Sequence, residues 1–203
     1  VAILAEGAPV TCGRYLAGSV RTPAMASGRH HDRATRRLAL PFGLLWWPAL
    51  GPAGVAVATG AFLLGGLWLS PDLDTRSNAT RRWGPLRLLW WPYRRLLSHR
   101  SLLSHSPLLG TSLRLLWLAL LVLVACAALG PLGTPAPAEL LRRGQALWGS
   151  QRPLLLAAFV GLEASSWLHL LQDGDPIPRL PRPLRALGRR LSSRSRRWRG
   201  QRR

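Results

Sequence analysis

The chain has 203 residues, 28 Lys+Arg against 8 Asp+Glu, and a formal net charge of +20 at pH 7. That length suits one domain with a tail, and its 2 cysteines, Cys12 and Cys126, argue against a disulfide framework and against a cysteine-based zinc site. Every basic residue is Arg, and Ala, Leu, Gly and Pro are abundant, which reads as the coding bias of a GC-rich genome; the charge excess then points to solubility or membrane orientation ahead of nucleic-acid binding.

In chain order, the first segment is doubtful. The chain opens on Val1, its only methionine is Met25, and residues 1–24 lack the pattern of a signal peptide. Residues 1–24 therefore read as a misassigned leader, 25–175 as the working domain and 176–203 as an Arg-rich tail. A polar knot follows at His30-His31-Asp32. The first apolar block, Leu38–Leu69, carries no charge. It is longer than the roughly 20 residues of one membrane span, and Pro48, Gly51, Pro52 and Gly54 interrupt it. A helical hairpin is expected, with arms Leu38–Trp47 and Val55–Leu69 turning at Pro48–Gly54. The block ends on Pro71-Asp72-Leu73-Asp74.

An Arg-rich stretch leads to a second knot of histidines, His99 and His105. The second apolar block is Leu115–Leu132 and the third Pro153–Leu171, broken by Glu163. His169 and Asp173 close the third. The tail from Arg179 on is basic and poor in apolar residues, and is expected to be disordered or to form a short surface helix that meets anionic lipid headgroups. The fold class expected is an all-α, multi-pass membrane bundle of about four apolar helices, the first two as a hairpin.

Charge orients this bundle. Arg is dense before the first block, between the first and second, and after the third, but sparse between the second and third. The positive-inside rule places the 133–152 loop outside and the other three regions in the cytoplasm of a bacterial inner membrane. The hairpin satisfies this and brings all the polar knots to the cytoplasmic face. Trp46, Trp47, Trp83, Trp90, Trp91, Tyr93 and Trp148 flank the blocks as an interfacial belt.

The knots carry the chemistry. Asp72 and Asp74, two residues apart in an extended or turn segment, point the same way and are suited to share or bridge ions. His99 and His105 are off register for one helix face, so a loop leading into a helix is needed, with Ser106 capping it and Pro107 at its first position. His169 and Asp173 share a helix face at i,i+4. Adjacent His31 and Asp32 do not. The pooled set, His31, Asp32, Asp72, Asp74, His99, His105, His169 and Asp173, is enough for one or two divalent ions. His with Asp suits zinc first, then manganese or iron. Arg100 is the candidate clamp for an anionic substrate.

The order Ser27-Gly28-Arg29-x-His31-Asp32, Pro71-Asp72-Leu73-Asp74, His99-Arg100-Ser101-x-x-Ser104-His105 and His169-x-x-x-Asp173 resembles an uncharacterised bacterial metal-binding protein family over Met25–Asp173. The last three motifs also resemble inner-membrane metal-dependent hydrolases whose expression is LexA-linked. That group is similar, more remotely, to the all-helical zinc phospholipase C fold. The resemblance implies His/Asp-bound zinc and phosphoester hydrolysis by analogy of fold. His30 and the residues before Met25 depart from the pattern. The alternative is a non-enzymatic protein with a structural metal and a basic tail that docks to lipid or a partner.

Overall fold

A computed structural model describes residues 28–97 and 101–174. The leader, the tail, His99 and Arg100 lie outside the described residues. Seven α-helices follow in order: α1 Gly28–Leu44, α2 Trp47–Leu67, α3 Asn78–Arg82, α4 Trp91–Leu96, α5 Leu102–His105, α6 Leu109–Ala128 and α7 Pro137–Gln172. Short 3₁₀ turns at Pro71–Asp74, Gly84–Trp90 and Gly130–Leu132 link them. The described chain is all-helical, with no strand.

α1 and α2 form the expected hairpin, but the chain turns at Leu45–Trp46, ahead of Pro48. Pro48 lies in the first turn of α2, where its missing N–H has no intrahelical role, so it starts a helix instead of breaking one. The break falls at Gly51, whose φ of 58° and ψ of −154° are open essentially to glycine alone.

α2 is the centre of the bundle and packs against both α1 and α7, which also touch each other. Small residues let the backbones approach. A Cβ on Gly161 of α7 would lie 2.8 Å from the Ala58 carbonyl oxygen and 3.0 Å from the Ala61 Cβ of α2. Backbone on both sides cannot retreat as a side chain can. Gly161→Ala is therefore expected to destabilise the fold by about 1–3 kcal/mol, read by thermal unfolding in detergent, whereas Gly144→Ala, in open space, should not.

Beyond α2 the chain packs a small aromatic core. Leu73 and Trp90 are fully buried, Tyr93 nearly so. Trp83 meets Trp90 edge-on at 5.2 Å between ring centres, and Trp90 meets Tyr93 at 5.4 Å. This corrects the aromatic belt at two positions: Trp90 and Tyr93 are core residues, because α4 and the preceding 3₁₀ turn fold back under α6. Trp47, Trp91 and Trp148 do face outward.

Three helical segments are long and apolar enough to cross a membrane: Trp47–Asp74, Leu109–Ala128 and Pro137–Gln172. α6 exposes Leu116, Leu120, Val122 and Val124. α7 has 36 residues, about 54 Å at 1.5 Å each, against a hydrocarbon layer of about 30 Å. It is divided at Gln151, which leaves helical geometry just before Pro153. α1 carries Arg29, Asp32, Arg33, Arg36 and Arg37 in its N-terminal part, so it does not add a fourth apolar span among the described residues. The hairpin sends the N-terminus of α1 and the C-terminus of α2 to one end of the bundle. The N-terminus of α6 and the C-terminus of α7 reach that same end, where the polar residues gather.

Candidate metal centre

Three donors converge there. His31 comes from the first turn of α1, His169 from the last turn of α7 and Asp173 from the residue just after that helix. One ligand atom from each lies within 4.8 Å of the other two. His31 Nε2 is 3.0 Å from Asp173 Oδ1, and His169 Nε2 is 3.5 Å from Asp173 Oδ2. Asp72, from the 3₁₀ turn after α2, brings Oδ1 to 3.4 Å from His169 Nε2. The two imidazoles stack with ring centres 4.0 Å apart.

Each histidine is oriented through its other nitrogen. His31 Nδ1 lies 2.7 Å from Gln172 Oε1, an acceptor, so Nδ1 donates. Ser70 Oγ lies 3.4 Å from His169 Nδ1. Both contacts leave Nε2 for the centre, the arrangement that fixes ring and tautomer in metal-binding histidines. A His31 that donates from Nδ1 would face the Asp173 carboxylate with a bare lone pair. Two acceptors 3.0 Å apart need a proton or a cation between them. His169 Nε2 is buried without a hydrogen-bond partner, its carboxylate neighbours being near but outside hydrogen-bond geometry.

These atoms fit a metal ion. Donors on a tetrahedral ion at about 2.0–2.1 Å lie about 3.3–3.4 Å apart, close to the 3.4 Å and 3.5 Å separations about His169 Nε2. Nitrogen with carboxylate oxygen is a donor set for zinc, manganese or iron.

A second pair adjoins the first. His105 Nδ1 is 3.3 Å from Asp74 Oδ2, and both residues are buried. Asp72 lies within electrostatic reach of His169, His105 and His31, so the two groups form one polar end of the bundle. The carboxylates of Asp72 and Asp74 do not point the same way, as an extended segment would require. Pro71–Asp74 is a 3₁₀ turn begun by Ser70, whose Oγ accepts from the Asp72 N–H. At three residues per turn, i and i+2 diverge, and Asp72 turns to His169 while Asp74 turns to His105.

Asp32 is one residue round α1 from His31 and pairs with Arg82, which also donates to the Leu67 carbonyl oxygen at 2.8 Å. That clamp ties the start of α1 to α2 and α3. His30 is exposed. The expected Ser106 cap is absent: α6 begins at Leu109 after Leu108 takes a φ of 62°. The buried Glu163 replaces it, its Oε1 accepting the Leu108 N–H at 2.7 Å.

Sequence reasoning passed over Arg114, which is 1% exposed. Its guanidinium donates to Thr111 Oγ1 at 3.0 Å and Ser166 Oγ at 2.9 Å. The signal was one Arg at the head of an uncharged run, with a Thr one turn before it.

Electrostatics favour a cation at the centre. Burial disfavours a charged His31, but the hydrogen bond and charge of Asp173, then the hydrogen bond of Gln172, outweigh it and hold the His31 pKa above its ordinary value. Burial likewise opposes ionisation of Asp173, and the His31 hydrogen bond with the His169 charge reverse it, holding that pKa low. Asp173 thus stays ionised in acid, while His31 takes up a proton at a higher pH than free imidazole. Metal binding must displace that proton. Divalent-metal affinity is expected to fall by about tenfold per pH unit below the His31 pKa for one proton displaced, measured by competition with a chelator between about pH 8 and 5. A flat profile would contradict His31 as a ligand.

No solved structure matches the chain. An "Uncharacterized protein" of Aquifex aeolicus (strain VF5) is 43% identical over 58 residues, which is 28% of this chain and 40% of that protein. The match thus spans under half of the relative's length. The model of a whole family, described as "Uncharacterized metal-binding protein (DUF2227)", matches residues 26–178, and these cover all the donors described above: the chain belongs to this family of uncharacterised metal-binding proteins.

Proposed function

We propose that the chain is an integral membrane metalloprotein of the bacterial inner membrane, with its metal centre on the cytoplasmic face, and that it hydrolyses a phosphoester or lipid-like substrate there. His31, His169 and Asp173 would hold the ion, with Asp72 beside it as a fourth ligand or general base. His105 with Asp74 forms the second half of the polar end, and His99 stays a candidate ligand on the sequence alone. A divalent ion bound there supplies Lewis acidity and a water acidified to near-neutral pKa. Zinc is the first expectation, manganese or iron the next. The resemblance to LexA-linked inner-membrane hydrolases supports the reaction class, with Arg100 as a candidate clamp.

The observation that carries a catalytic over a structural metal is access. A cavity of about 290 Å³ opens onto His31, Asp72 and His169, whereas structural sites are closed. The second reading keeps one observation in its favour: the donors come from α1, the turn after α2 and α7, so an ion there would staple three elements. In both readings the membrane is the partner, through the three segments long and apolar enough to cross it, and the Arg-rich tail 176–203 offers positive charge to anionic headgroups.

The test is turnover by full-length protein in detergent, loaded with zinc or manganese, on phosphomonoesters and phosphodiesters. Metal-dependent hydrolysis that disappears in Asp72→Asn, with the metal retained, supports the enzyme. Full metal occupancy without turnover on any of them leaves the staple. A reporter fused after Gly144 should read periplasmic, and a cytoplasmic signal would break the orientation.

A further inference from the structure

The cavity beside the metal centre has a second wall that the metal site does not use. Besides His31, Asp72 and His169, its lining includes Arg76, Arg81 and Arg82. Arg82 is engaged by Asp32 and the Leu67 carbonyl. Arg81 donates to Asn78 Oδ1, which steers its guanidinium along the short helix α3. Arg76 is exposed at the rim, just past the Pro71–Asp74 turn.

The charge of the lining favours an anion. The lining holds three guanidiniums against Asp32 and Asp72, and the adjoining Asp173 offsets that excess, so a divalent ion on His31, His169 and Asp173 would leave the cavity net positive. The space, about 290 Å³, equals about ten waters at roughly 30 Å³ each, enough for a tetrahedral oxyanion with a substituent. Guanidinium forks match phosphate oxygens in pairs.

We propose that this cavity binds a phosphate group, free or as a phosphomonoester, with Arg76 and Arg81 as its clamp and the metal centre as the adjoining wall. The proposal rests on the metal-centre reading only for that adjoining wall and its charge. The clamp arginines differ from Arg100: Arg76 lies on the segment that joins the Asp72 turn to α3, and Arg81 lies on α3 itself.

The experiment is calorimetric titration of inorganic phosphate into full-length protein in detergent, zinc-loaded and chelator-treated. Wild type is set beside the Arg76→Ala/Arg81→Ala double variant and Arg87→Ala, an exposed arginine outside the cavity. Phosphate affinity should drop at least about tenfold in the double variant and hold in Arg87→Ala, with metal content equal in all three. Equal affinity in the double variant, or no binding by wild type in either metal state, overturns the proposal. Phosphate binding that needs Arg76 and Arg81 in a protein that takes up no metal supports the clamp and removes the metal-centre reading instead. Competition by phosphatidic acid vesicles, but not phosphatidylcholine vesicles, supports the clamp with a lipid headgroup as the source. Competition by neither supports it with a soluble phosphate.

Discussion

His169→Ala is expected to leave the purified protein almost without metal. His169 Nε2 lies between Asp72 and Asp173, at 3.4 Å and 3.5 Å, so its loss removes the donor to which both carboxylates turn. Outer-shell partners of a metal ligand are worth about 10- to 100-fold in affinity. A direct ligand should exceed that, so the expected loss for His169→Ala is more than about 100-fold. Gln172→Ala, which removes only the acceptor that orients His31, should fall within the outer-shell range. The order His169→Ala below Gln172→Ala below wild type, read by metal affinity in a chelator competition, is the signature. Equal losses would mean a general loosening of the bundle end. The apoprotein should remain helical in His169→Ala, because α7 is held to α2 by packing along its length.

Arg114→Leu is expected to cost about 3–5 kcal/mol of stability. The residue lies in α6, within an apolar segment long enough to span a membrane, and is buried against α7. Thr111 and Ser166 accept from it. Glu163, one turn before Ser166 on α7, is within its electrostatic reach. Removing the cation leaves the Glu163 charge in an apolar setting with the Leu108 N–H as its hydrogen-bond donor, and a buried charge that has lost its countercharge is strongly destabilising. Glu163→Gln keeps the acceptor for Leu108 and removes the charge. The Arg114→Leu/Glu163→Gln double variant should then lose less than the sum of the two single variants. Unfolding in detergent, followed by circular dichroism, gives the three values. Additive losses would show that the two charges do not sense each other.

How much of this could be read from the chain varies with the distance over which each contact acts. The hairpin was legible because a charge-free run too long for one span and interrupted by proline and glycine has few other solutions. The turn itself was misplaced, since Pro48 starts a helix and only Gly51 takes a conformation that breaks one. The pairing of His169 with Asp173 was visible as i,i+4 spacing on one helix. His31 could be named as a donor, but its approach to Asp173 depends on α1 and α7 lying side by side against α2, which no local pattern reports. Asp72 and Asp74 look alike in sequence and part company because the turn that holds them is 3₁₀. Asp32 turns to Arg82, a partner fifty positions on, and so is drawn into a clamp between helices. Arg114 and the cavity arginines resembled the surplus positive charge of the whole chain. Burial in one case and a shared cavity in the other distinguish them.

The most direct test of the account is elemental analysis of full-length protein purified in detergent without added metal, set beside the His31→Ala/His169→Ala/Asp173→Ala triple variant. The wild type should hold a divalent ion tightly, with nitrogen and oxygen but no sulfur neighbours in its X-ray absorption spectrum, and the triple variant should lose it. A metal content unchanged by the triple substitution would contradict it.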